Sequence, residues 1–174
     1  MGHMQTKPEH AAATPPLGRY EIDTSSSTVR FRTRHLFGLG PVRGSFAIRT
    51  GTVDIAEPLA GSRIRAEIDT ASFRTGNPAR DAAVRSARFL DTRTHPVITF
   101  SSERTDGSTL AGTLTVRDVT RPVTLSIEQS AVAPGSFTAR AAARIDRTEF
   151  GVTASRGLAG RYLDLTLEVR CLRK

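Results

Sequence analysis

The residues of this chain that could carry chemistry are few. There are four histidines, His3, His10, His35 and His95, and no two stand at the H-x-x-x-H spacing that puts a pair of ligands on one helix face. Cys171 is the only cysteine, so neither an internal disulfide nor a Cys-based metal site can form, and a packed strand-end thiol is the expected role. Asp146, Arg147 and Glu149 form a polar cluster, but no nucleophile with a neighbouring base accompanies them. Ser25, Ser26 and Ser27 lack a G-x-S-x-G setting, and no glycine loop of the phosphate-binding kind occurs. The inventory offers no catalytic residue, no metal site and no cofactor site, and an enzyme is not expected.

Charge narrows the partners. The net charge is +8 with a pI near 11.1, and the basic residues are almost all Arg, with Lys only at positions 7 and 174. Arg30, Arg32 and Arg34, like Arg63 and Arg65, are spaced by two, which places them on the polar face of a sheet. Phe31 points to the opposite face, so aromatics do not interleave with the cations as a nucleic-acid surface requires. The expectation is a solvated outer surface with no nucleic-acid partner, while transient contact with a membrane surface is compatible with the charge.

Stepping-by-two dominates the chain from residue 27 onward. Val29 and Phe31 share a face, as do Val42, Gly44, Phe46 and Ile48. Ile64, Ala66 and Ile68 form the next set, followed by Ile98 with Phe100. Leu110, Gly112, Leu114 and Val116 align, then Val123, Leu125 and Ile127. The last two sets are Phe137 to Ile145 and Leu163 to Val169. Turn signals at 38–41, 105–108 and 133–136 keep the connections short, which favours antiparallel pairing. Eight such strands close as a barrel or stack as a sandwich. Small residues on the apolar face (Gly44, Ala66, Gly112, Ala139, Ala141, Ala143) suggest space inside. One segment breaks the alternation. Asn77 can cap, Pro78 suits the first turn, and Arg80 to Phe89 can run as a helix with Ala83, Val84, Ala87 and Phe89 or Leu90 on its apolar side. Such a helix seals the mouth of a cavity or plugs the core.

Four stretches together resemble the YceI-like family of bacterial lipid-binding proteins. They are YEID at 20–23 with TVRFRTRHLFGLGPVRGSF at 28–46, IDTASFRTGNPARDAAVRSARFLDTRTHPVITFSS at 68–102, LAGTLTVRDVTRPVTL at 110–125, and IDRTEFGV at 145–152. Asp118 stands where the family pattern usually shows Gly, and Leu90 where many relatives carry a second aromatic. The resemblance implies a lipocalin-like, eight-stranded antiparallel β-barrel with a short helix inserted near 78–89, a domain spanning 19–174, and a long apolar ligand of the polyisoprenoid, isoprenoid quinone or fatty-acid-like kind. It is also compatible with a homodimer.

By pattern alone the large inward residues are ordinary core. With the resemblance they become candidates to line a lipid tunnel: Phe31, Phe46, Ile48, Ile64, Ile68 and Phe89 in the first half, and Phe100, Leu114, Leu125, Phe150, Leu163 and Leu165 in the second. His35, before a glycine-rich turn, would meet a polar head group or act as a structural hydrogen-bonding residue. His95, before Pro96, is expected to be exposed. Arg80 would pair with a carboxylate such as Asp69 or Asp91, or touch the head group. Residues 1–18 read as a cloning remnant (MGHM) and a disordered arm rich in Pro and Ala, without the n- and h-regions of a signal peptide. A native start at Met4 implies the cytoplasm; a removed leader would imply a periplasmic or secreted protein. The function expected is to bind and carry or sequester the lipid. The rivals are a barrel that isomerises or cyclises a lipid using His35 and a carboxylate, and an interaction module with a filled core.

Overall fold

Each alternating run forms a strand, and every pairing between strands is antiparallel. The computed structural model describes residues 13–35, 40–154 and 160–174. Its strands are β1 (Gly18–Ile22), β2 (Thr28–His35), β3 (Gly40–Phe46), β4 (Ile48–Ile55) and β5 (Arg63–Asp69). The helix α1 (Pro78–Arg85) follows. Then come β6 (Val97–Thr105), β7 (Thr109–Val116), β8 (Val119–Ala133), β9 (Ser136–Asp146) and β10 (Tyr162–Arg173).

The sheet closes on itself. β1, β4, β5, β6, β7, β8, β9 and β10 pair in that order, and β10 returns to β1 through Cys171–Ile22 and its neighbours. β2 and β3 complete the wall in line with β1 and β4. β10 pairs with β2 over Asp164–Glu168 and with β1 over Cys171–Arg173, so β1 and β2 occupy one flank of β10 in succession. The result is an eight-position antiparallel barrel, as expected, with its first two positions each broken into two strands.

Side chains make both breaks. Between β1 and β2 the Asp23 amide still donates to the Arg170 carbonyl at 2.7 Å, and the Ser27 hydroxyl accepts from the Arg170 amide at 2.9 Å. The Asp23 carboxylate accepts from the Ser25 amide and hydroxyl, closing the turn. The serine run is thus a splice in a strand, with hydroxyl and carboxylate oxygens taking over from backbone carbonyls. Between β3 and β4 the Ala47 amide donates to the Ser72 hydroxyl at 2.7 Å, while its carbonyl accepts from the Asp69 amide at 3.0 Å. The single alternating run expected from Val42 to Ile48 therefore divides at Ala47.

α1 is shorter than the expected 78–89. Asn77 Oδ1 accepts from the Arg80 amide at 3.1 Å and Pro78 occupies the first turn, as the capping pattern requires. The helix stops at Arg85 because Ser86 turns extended, and both its hydroxyl and its amide donate back to the Ala83 carbonyl. The chain then wraps back, with the Leu90 amide donating to the Val84 carbonyl and Asp91 in the left-handed region at φ 49°. Ala83 and Ala87 are exposed; Val84, Phe89 and Leu90 carry the apolar contacts.

The small inward residues do two different things. A Cβ on Gly44 would lie 2.3 Å from Phe31 Cζ and 2.5 Å from the Arg74 carbonyl oxygen, so this glycine admits a ring and a backbone rather than opening space. Gly112 is likewise filled, with the Ser101 carbonyl oxygen 2.4 Å from the position of a Cβ. Ala66, Ala139 and Ala141, in contrast, face empty volume.

The described part of the N-terminal segment departs from the expected free arm. The Tyr20 hydroxyl donates to the Pro16 carbonyl and Arg173 donates to the Leu17 carbonyl, each at 2.8 Å, and the Ser130 hydroxyl donates to the Ala13 carbonyl. Residues 13–17 are held against β1, β8 and β10 by bonds to their backbone, which need no particular side-chain sequence and so leave little mark in the pattern.

Candidate functional site

The barrel interior holds two cavities end to end. The upper one, about 240 Å³, lies under α1 and the turn after it; Arg80, Val84, Phe89 and Leu90 form its cover. The lower one, about 170 Å³, reaches the opposite end, where Ala13, Thr14 and Pro15 line it. Val29, Ile68, Phe100, Leu125 and Leu167 border both cavities and form the waist between them. A further depression of about 560 Å³ on β8–β10 has mixed walls that include Gln129, Arg140, Glu168 and Arg170; it shares Ser130, Ala139 and Val169 with the lower cavity and no residue with the upper one.

Strand accessibility reports the same space. Leu163, Leu165, Leu167 and Val169 of β10 and Ala139, Ala141 and Ala143 of β9 belong to the hydrophobic clusters yet are only half-buried. In a filled barrel, side chains on such a face would be fully buried at interior packing density. Here all of them except Ala143 border the two cavities. Beside them, on the strands next to β10, Phe31 stacks on Phe73 at 5.2 Å between ring centres and Phe46 meets both rings, so the β2–β3 side is solid.

Ten of the expected lining residues border the upper cavity: Phe31, Phe46, Ile68, Phe89 and Phe100, with Leu114, Leu125, Phe150, Leu163 and Leu165. Ile48 and Ile64 border the lower one. The side chain of His35 lies outside the described residues. The upper wall also contains Val42, Ile98, Val116, Val123 and Ile145, whose period-two alignment was available in the sequence. Phe73 and Val152 had no such signal, because they lie in or beside short 3-10 turns.

Several polar residues take other places than the sequence suggests. His95 is mostly covered, its side chain 16% exposed, with Nδ1 3.8 Å from Asp118; the turn at Asp91–Thr94 folds it against the β7–β8 hairpin. Arg80 reaches neither Asp69 nor Asp91. Its Nε donates to the Thr75 hydroxyl at 2.9 Å, because Asp69 is occupied capping Ala71. Asp146 caps its own turn, accepting from the Thr148 amide and hydroxyl, and pairs with Arg161 at 3.0 Å; it serves the fold. In the β7–β8 hairpin the left-handed residue is Arg117 at φ 55°, so Asp118 meets no backbone demand for glycine. Among the described residues no group of three or more His, Cys, Asp or Glu is placed to hold a metal ion.

Asp81 locks the helix to the preceding loop. Burial pushes its carboxyl up, but the Thr75 hydroxyl and amide that it accepts from, with Arg85 and Arg80 nearby, outweigh this and hold it below its ordinary 3.8. A folded value below the unfolded one stabilises fully above the unfolded value, and the gain is lost as pH falls through the folded one. Asp81→Asn is expected to lower the urea midpoint at neutral pH, with the gap to the wild type narrowing as pH falls below the ordinary carboxylate value. Cys171, 0% exposed on the lower wall, has its thiol pushed up to about 12 by burial. It should resist iodoacetamide in the native protein and label fully in denaturant, as mass spectrometry would read.

Residues 20–171 match the YceI-like domain. The chain belongs to the YceI-like family. Protein YceI of Escherichia coli is 32% identical over 162 residues, covering 86% of this chain and 84% of that one. A UPF0312 protein of Yersinia enterocolitica is 31% identical over 175 residues, covering 93% and 90%. Among solved structures, Burkholderia cenocepacia BcnA superposes with a TM-score of 0.74 at 20% identity, covering 86% of this chain and 98% of that one. A polyisoprenoid binding domain from Saccharophagus degradans gives 0.70 at 14% identity, covering 91% and 100%. These two likenesses are of fold.

Proposed function

We propose that this YceI-like barrel binds one long-chain amphiphilic lipid, of the polyisoprenoid or isoprenoid quinone type, and carries or sequesters it without chemical change. The observation that supports this most is the half-buried inner face of β9 and β10, apolar side chains left facing empty volume along the barrel axis. Among the described residues around the upper cavity, only Thr33, Arg80 and Arg147 have polar side chains. An apolar chain entering such a space gains about 25 cal/mol per Å² of surface removed from water, and needs no catalytic group to be held. The structural neighbour described as a polyisoprenoid binding domain has the same fold, which favours this ligand class. Titrating delipidated protein with a polyprenol and with an isoprenoid quinone tests the reading. Saturable uptake near one ligand per chain, with a negative heat-capacity change, is expected. If neither is taken up saturably, the reading falls.

A further inference from the structure

The two cavities differ in charge. Among the described residues no Asp or Glu lines either of them, and none of those lining the lower one is charged. Its polar side chains are hydroxyls, Thr14, Ser62, Thr105 and Ser130. Two charged groups among the described residues, Arg80 and Arg147, line the upper cavity. A barrel that held only a hydrocarbon would have no need of guanidinium groups on an apolar wall, where desolvation disfavours them.

The two arginines are held differently. Arg147 is clamped by backbone, its Nε donating to the Gly160 carbonyl at 2.7 Å and its Nη1 to the Val152 and Ala154 carbonyls at 2.8 and 3.0 Å. Its guanidinium also lies 5.8 Å from the centre of the Phe89 ring. These contacts knit the Arg147–Phe150 turn to the end of the barrel. Arg80 is half-buried and anchored by one bond, Nε to the Thr75 hydroxyl at 2.9 Å. Thr75 in turn donates to Asp81, whose oxygens are taken up by the Thr75 amide and hydroxyl. Among the described residues no carboxylate lies within 4 Å of the Arg80 guanidinium. The anchoring bond uses the inner nitrogen of the fork, and Arg80 borders the upper cavity.

A guanidinium only donates, and its planar fork matches the oxygens of a carboxylate or phosphate. In a low-dielectric wall that match is stronger than in water. We infer that Arg80 selects the head group, and that the ligand is an isoprenoid or related chain ending in an oxyacid, a carboxylate or a phosphate, rather than a neutral alcohol or quinone. The head lies under α1, and the chain runs through the waist toward Ala13–Pro15. This inference rests on the lipid-binding reading and narrows it.

Matched ligands test it. Delipidated full-length protein is titrated with geranylgeranyl phosphate, geranylgeraniol and a quinone of similar chain length, using displacement of a fluorescent fatty alcohol. The wild type should bind the phosphate at least tenfold more tightly than the alcohol. Arg80→Gln should bring the two within about threefold while keeping the affinity for the alcohol, and Arg80→Lys should keep part of the preference. Arg49→Gln, an exposed charge on β4, should leave the preference intact, which separates a site effect from the general attraction of a basic protein. Circular dichroism and melting of each variant confirm folding. Equal binding of phosphate and alcohol by the wild type, tighter binding of the quinone, or an undiminished preference in Arg80→Gln would overturn the inference and leave the lipid-binding reading standing. Binding of none of the three would overturn both.

Discussion

Leu167→Trp is expected to cut the affinity for a long prenyl chain by well over tenfold while leaving a short one nearly unaffected. Leu167 borders both cavities, and its register partners are Val29 on β2 and Ala141 on β9. An indole there fills the waist and splits the tunnel. A chain that reached the lower cavity would lose the burial of roughly 100 Å² of apolar surface, about 2.5 kcal/mol, or roughly 60-fold in affinity. A chain short enough to stay under α1 would lose within about threefold. Because Leu167 faces empty volume rather than packed atoms, the added bulk should cost less than the roughly 1–3 kcal/mol typical of overpacking. Titrations with a C10 and a C40 prenol, alongside melting curves, read both effects. Equal losses for the two lengths would mean that ligands do not pass the waist.

Phe31→Ala should be the most destabilising substitution of a lining residue. Phe31 is 4% exposed, lies 5.2 Å from Phe73 and 5.7 Å from Phe46 between ring centres, and fills the space above Gly44. Its three-ring cluster joins β2 and β3 to the turn at Thr70–Ser72, the corner where the wall is broken at Ala47. Removing the ring costs the transfer energy of a buried aromatic plus a cavity term, about 3–5 kcal/mol, and lowers the melting temperature by about 12 °C. Leu165→Ala, at the register partner of Phe31 on the half-buried neighbouring strand β10, should cost markedly less, since part of its surface faces empty volume in the wild type. Calorimetry of the two variants compares them. Equal losses would mean that the β10 face is packed as tightly as the β2 face.

The barrel was legible because period two survives wherever one face is apolar. β5, β6, β7 and β9 fall close to where their alternation begins and ends. β4 was hidden because its pattern passes through Arg49, Thr50 and Gly51, where the pairing with β5 shifts register between Ile48 and Thr50. β8 runs on to Ala133, beyond the apolar residues that mark it, because it gains β9 as a second partner from Ser126 onward. Pro122 sits before that point, where its missing amide is tolerated. The helix was overestimated because Ala83 and Ala87 suit an apolar face in a pattern but stand in solvent here. Lining residues on strands could be read by alternation; Phe73, Val152 and Ala13–Pro15 could not, since turns and backbone-bound segments have no period. Nor could spacing reveal that the glycines of the inner face are filled while its alanines face open space. That depends on which ring lies across the barrel.

The central claim is that one apolar chain occupies the joined cavities of this barrel. Native mass spectrometry of the protein as purified, and again after incubation with C40 polyprenol and an isoprenoid quinone, followed by organic extraction, tests it most directly. The predicted result is a single adduct per chain that extracts as a long-chain amphiphile and is excluded by Leu167→Trp. An unliganded mass before and after incubation, in protein whose melting shows it folded, would contradict the claim and point to a barrel whose interior binds nothing.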